Sequence, residues 1–145
     1  MLYSGNPEPS SELVEMLSDA LDDNPDHRDL VRAVAGMELG DGNIKKSLQI
    51  IEHYLYLVEK PDIGILRLYA KALLYAGRPD DTVRVYENNG LAKGDIYDDA
   101  PYLAALWLTG QQRKAIKLFN DMPEEGFPAT KFEYFPEFAA DLLRD

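Results

Sequence analysis

Residues 63–95, IGILRLYAKALLYAGRPDDTVRVYENNGLAKGD, and residues 96–122, IYDDAPYLAALWLTGQQRKAIKLFNDM, decide the fold when one is set above the other. Leu66, Tyr69, Ala70, Leu73, Gly77, Thr82, Tyr86 and Asn89 then stand over Asp99, Tyr102, Leu103, Leu106, Gly110, Ala115, Phe119 and Met122, each pair 33 positions apart. A fixed period of this size is the mark of stacked helical hairpins. A third copy lies upstream, with Gly42 standing 35 positions before Gly77. Five residues after each glycine comes a small residue, Ser47, Thr82 or Ala115, which lets two helices approach closely. Four further on, Ile51, Tyr86 or Phe119 fills the space toward a neighbouring hairpin.

Helical periodicity covers most of the rest. Leu13, Met16, Leu17, Ala20 and Leu21 recur at three-and-four spacing, so Ser11–Asp23 reads as an amphipathic helix, with Ser10 or Ser11 as its cap. Asn24-Pro25 stops it. Further helices are expected over Asp26–Leu39, Ile44–Val58, Ile63–Ala76, a stretch opening at Pro79, and Gln112–Asp121. Asn43 and Asp62 are candidate caps. Leu91–Tyr97 reads as a loop, with Asp98 and Asp99 capping the helix that follows. Residues 1–9 read as a flexible lead-in, since Pro7 and Pro9 block helix. No stretch alternates apolar and polar over a strand length.

Composition narrows the function classes. The chain has 145 residues, 46% of them apolar, which is enough for one domain with its own core over 10–145. It has no cysteine, which excludes disulfides and thiolate chemistry. The net charge of −11 repels a phosphate backbone, so nucleic acid is not expected as a partner. No apolar run reaches the roughly 20 residues of a membrane span, and the opening residues lack a basic and an apolar region. A cytoplasmic protein is the expectation. Enzymatic chemistry is not expected. His27 and His53 fall in different hairpins, and the pairs Asp22-Asp23, Asp80-Asp81, Asp98-Asp99 and Glu124-Glu125 sit at helix ends, where capping accounts for them. No cofactor and no metal site is expected.

The unit of a large residue, a small one, a turn glycine, alanine and then an aromatic resembles the tetratricopeptide repeat family, whose unit is about 34 residues of helix–turn–helix. Leu13, Leu17, Ala20, Leu21 and Pro25 match the second half of such a unit. The resemblance implies an all-α, right-handed superhelical stack of antiparallel helix hairpins with about seven or eight helices. It divides the chain into a half repeat at 11–25, repeats at about 28–61, 63–95 and 96–127, and a capping segment at 128–145. Glu38 departs from the pattern, standing where the family prefers a large aromatic or aliphatic residue. Lys114–Phe127 is also similar to the second helix of a pentatricopeptide unit, which implies single-stranded RNA binding and needs a positive groove.

The family resemblance implies binding on a concave face lined by the first helix of each hairpin. That face would present Arg32 and Leu39, then Arg67, Lys71, Leu74 and Tyr75, then Ala104, Trp107 and Leu108. The expectation is a non-enzymatic adaptor or chaperone that takes a partner peptide or amphipathic helix, with cations engaging a carboxylate. A role like that of the small acidic secretion chaperones of the family, or as a scaffold subunit of a stable complex, would follow. Phe127, Phe132, Tyr134, Phe135 and Phe138 have two readings. They cap the stack, or they occupy a groove, giving self-association.

Overall fold

A computed structural model describes residues 11–122. They form seven α-helices: α1 (Ser11–Asp23), α2 (Arg28–Gly40), α3 (Ile44–Leu57), α4 (Ile63–Tyr75), α5 (Pro79–Asn89), α6 (Ile96–Leu108) and α7 (Gln112–Asp121). No strand occurs among the described residues. The lead-in at 1–9, the Ser10 cap, the end of the last repeat and the segment from 128 onward lie outside them. The chain divides between Ile65 and Leu66 into two compact units.

In the first unit, α2 packs against α1 and α3. Its core is Leu21, Val31, Val34, Ala35, Leu39, Leu48, Ile51, Tyr54 and Ile65. In the second, α6 packs against α5 and α7. There Leu66, Ala70, Leu73, Val83, Tyr86, Leu91, Leu103, Leu106, Ala115 and Phe119 are buried. The Tyr86 and Tyr102 rings stack with centroids 4.8 Å apart.

The three hairpin turns repeat one hydrogen-bond pattern. Gly42, Gly77 and Gly110 hold φ of 86°, 76° and 86°, in the left-handed region. The next residue donates its N–H to a carbonyl five residues back: Asn43 to Glu38 at 2.8 Å, Arg78 to Leu73 at 2.9 Å, Gln111 to Leu106 at 2.8 Å. This is the six-to-one closure that a glycine makes cheap at a helix C-terminus. A Cβ at any of the three glycines would meet nothing within 4 Å, so backbone angle and not space selects glycine there.

The small residue after each turn does more than permit approach. The Ser47 hydroxyl donates to the carbonyl of Ala35 at 2.8 Å, and the Thr82 hydroxyl donates to that of Ala70 at 2.9 Å. Both span twelve residues and tie the second helix of a hairpin to the middle of the first. Ala115 occupies the third such position, fully buried but with no hydroxyl to give.

Several local expectations are corrected. α2 begins at Arg28, because His27 caps it, Nδ1 accepting from the N–H of Leu30 at 3.4 Å. Asn43 precedes α3 but makes no side-chain cap; its amide donates instead to Glu38 Oε1 at 2.9 Å. Lys46 Nζ lies 2.9 Å from the other oxygen of Glu38. That pair of partners explains how a carboxylate can be buried at a position suited to an apolar residue. α6 begins at Ile96, within the expected loop. Asp95 is its cap, accepting from the N–H of Asp98 at 3.0 Å, so Asp98 and Asp99 belong to the first turn. Asp62 does cap α4, accepting from Ile65 at 3.2 Å.

Candidate functional site

The described parts of the two units differ in charge. Residues 11–65 carry 12 carboxylates against 5 lysines and arginines, whereas residues 66–122 carry 7 against 8. The strong acidity of the chain therefore lies outside residues 66–122; residues 123–145 carry 6 carboxylates against 2 cations.

In the first unit, Arg32 is exposed and already engaged. Its guanidinium lies 3.4 Å from Asp29 and 3.6 Å from Asp62. Gly64 gives it room, since a Cβ there would come within 3.0 Å of both Arg32 and Asp62. Leu39 is buried in the core. A cavity of about 120 Å³ is lined by Leu21, Asp22, Pro25, Ile50 and His53. That is well below the roughly 300 Å³ at which small-molecule sites begin. Among the described residues, no group of three or more His, Asp or Glu could hold a metal ion.

In the second unit, Arg67 is half-buried and donates from Nη2 to the carbonyl of Leu91 at 3.1 Å. Its Nε is buried and makes no hydrogen bond. Arg67 thus holds the α5–α6 connection. Lys71, one turn further along α4, is exposed and enters none of the described ion pairs. Leu74 and Trp107 are half-buried, and Ala104 is buried. Tyr75 and Leu108 are each 55% exposed. They stand 33 residues apart, at the same place in successive hairpins, the last position of α4 and of α6. Of the nine residues expected at a face, Leu39 and Ala104 are core, and Arg32 and Arg67 bind within their own units. Lys71, Tyr75 and Leu108 are open, with Leu74 and Trp107 half open beside them.

Comparison with models of known families, with curated proteins and with solved structures finds no match to this chain.

Three polar groups tie the helices of the second unit together. Asp99 is 2% exposed. Its carboxylate accepts from the N–H of Lys93 at 3.0 Å and of Gly94 at 2.6 Å, gripping the connection from within α6. Burial pushes its pKa up, against the pull of those two N–H groups, with Asp95 and Asp98 adding to the rise. The signal in the sequence was its position, a carboxylate 33 residues after the core residue Leu66. The Tyr86 hydroxyl donates to the carbonyl of Asp98, and burial pushes that phenol up. Glu87 accepts from Lys114 Nζ and from the Tyr102 hydroxyl, both at 2.8 Å, joining α5, α6 and α7. Those two partners hold the Glu87 carboxyl below its usual range, Lys114 the more strongly. The Lys114 ammonium also lies 5.9 Å from the centre of the Tyr102 ring.

Proposed function

We propose that this chain is a non-enzymatic protein-binding module of the tetratricopeptide type, an adaptor or chaperone that receives an amphipathic segment of a partner on the second unit. The observation that carries the reading is the pair Tyr75 and Leu108, two large apolar side chains at equivalent positions of successive hairpins, each 55% exposed. Large apolar groups repeated at one register position give a partner helix regularly spaced anchors, and tyrosine and tryptophan are the side-chain types that dominate binding energy. Trp107 adds a half-buried ring beside Leu108, and Lys71 adds a cation with no described partner.

In this reading the hairpins continue as a right-handed superhelical stack that presents the first helix of each on one side. The protein works in the cytoplasm. No described helix is long and apolar enough to cross a membrane. RNA binding of the pentatricopeptide kind is the weaker alternative. It would use the cations of α7, but Lys114 is paired with Glu87 and Lys117 with Asp121.

The test is co-purification of partners with the intact chain and with Tyr75→Ser combined with Leu108→Ser. Both side chains are exposed, so the fold should survive the change. Loss of two anchors is expected to weaken capture of a specific partner by at least about tenfold, the equivalent of 1.4 kcal/mol. Unchanged capture would refute the face. Binding of single-stranded RNA that weakens steeply with salt would favour the alternative.

A further inference from the structure

We infer that the open face of the second unit, Lys71 and Tyr75 on α4 with Trp107 and Leu108 on α6, is occupied by residues 132–143 of the same chain until a partner displaces them. The inference rests on the reading of that face as a binding surface, and it names the chemistry the face selects: an acidic segment rich in aromatic residues.

Charge is the first argument. Residues 66–122 carry 8 cations against 7 carboxylates, in a chain that is otherwise acidic. Lys71 lies on the proposed face and enters none of the described ion pairs. Residues 132–143 contribute Glu133, Glu137 and Asp141 and no cation. The first unit, with 12 carboxylates against 5 cations, repels such a segment. Apolar content is the second argument. Phe138, Ala139, Leu142 and Leu143 recur at three-and-four spacing after Pro136, with Phe135 just before it, so a helix formed there would offer aromatic and aliphatic groups to Tyr75, Trp107 and Leu108.

Reach is the third argument. The tight turn at 109–111 makes α6 and α7 antiparallel, so Leu108 and Met122 lie at opposite ends of their hairpin. The ten residues of α7 separate them by about 15 Å. Phe132 follows Met122 by ten residues, and a coil of that length would have a root-mean-square span of roughly 17 Å. Effective concentration is greatest when a linker's length matches the span it must bridge, and it then reaches the millimolar range. A modest intrinsic affinity is therefore enough to cover the face. A partner segment of the same chemistry competes for it, so occupancy sets a threshold for partner binding.

Two features of the composition make the test direct. Trp107 is the single tryptophan, and there is no cysteine. A nitroxide attached through Ala140→Cys in the full chain is expected to broaden the one indole N–H resonance, equally at high and low protein concentration. Lys71→Glu is expected to restore the resonance, which separates docking from mere proximity. In the unlabelled chain, Phe135→Ser with Phe138→Ser is expected to raise acrylamide quenching of Trp107 roughly twofold as the population shifts from covered to open.

A sharp indole resonance together with unchanged quenching would overturn the inference. So would broadening seen only when labelled and observed chains are mixed, which would make the occupant a second copy. If the segment does not dock while partner capture still depends on Tyr75 and Leu108, the inference falls and the binding face stands. If capture is also indifferent to those residues, both fall.

Discussion

The turns inside the hairpins and the connections between them are built on different principles. The three turns share one backbone solution: a left-handed glycine followed by an N–H that closes on a carbonyl five residues back. No side chain is needed for it. The connections share no side-chain solution, although the one at 90–95 opens with the same closure, Gly90 at φ 58° and the Leu91 N–H on the carbonyl of Tyr86 at 3.0 Å. At 24–27, the Asn24 side chain returns to the carbonyl of Ala20 at 3.0 Å, and His27 caps α2. At 58–62, the Tyr54 hydroxyl accepts from the N–H of Asp62 at 2.9 Å. At 90–95, Arg67 and Asp99 hold the backbone from two different helices. A repeated turn is encoded by backbone preference and recurs. A connection is encoded by whichever side chains reach it, and must be solved each time.

The largest effect should come from the most heavily held connection. Asp99→Ala removes the acceptor for two N–H groups, and is expected to lower unfolding free energy by about 2–3 kcal/mol, read as a fall in the urea midpoint. The burial that raises its pKa offsets part of the loss. Amide exchange should accelerate first at Lys93 and Gly94. A loss spread evenly over the chain, with those amides unaffected, would break the claim that the connection depends on this carboxylate.

Next come the turns. Gly42→Ala, Gly77→Ala and Gly110→Ala should each cost about 1–2 kcal/mol from left-handed backbone strain, and the costs should agree. A spread wider than that range would mean the turns are less equivalent than their hydrogen bonds. Thr82→Val, which keeps the shape and removes the hydroxyl, should cost about 1 kcal/mol in thermal or chemical denaturation. The reverse change, Ala115→Ser, sharpens the comparison, because a gain there would show that the bridge from Thr82 to Ala70 is transferable.

Glu38 is the exception, a side-chain link laid across a turn. Asn43 and then Lys46 hold its carboxyl below the ordinary glutamate range. A depressed folded pKa means that the contribution is present above the unfolded value and is lost as pH falls through the folded one. Stability should therefore decline below about pH 4.5, and Glu38→Gln should flatten that decline. Lys46 is 58% exposed, so the ion pair itself is worth about 1 kcal/mol or less. The smallest effect is expected for Lys71→Glu, within about 0.5 kcal/mol of the parent, because it holds no element in place.

The same contrast explains what the sequence could reveal. Ser11–Asp23 and Gln112–Asp121 are legible to the residue because periodicity and glycines define helices and turns locally. The start of α6 is not, since Asp95, Asp98 and Asp99 are equally plausible caps until the path of the chain is known. The exposure of two of the nine expected residues was legible in outline. Tyr75 and Leu108 follow from the repeat, but the engagement of Arg32 with Asp62 and of Arg67 with Leu91 depends on connections that no period describes. Glu38 and Asp99 show a useful inversion: carboxylates at positions reserved for apolar residues marked the places where side chains take over from the repeat.

Ala115 has one more consequence. Hairpins bridged by Ser47 or Thr82 must break a mid-helix tie before their two helices can separate, whereas α6 and α7 share no such rung. Cooperative opening should therefore begin at α7, and its amides should exchange with solvent at a lower free energy than those of α3 or α5. The second unit would open first at the hairpin that carries Trp107 and Leu108, so the proposed binding surface would sit on its most yielding pair of helices.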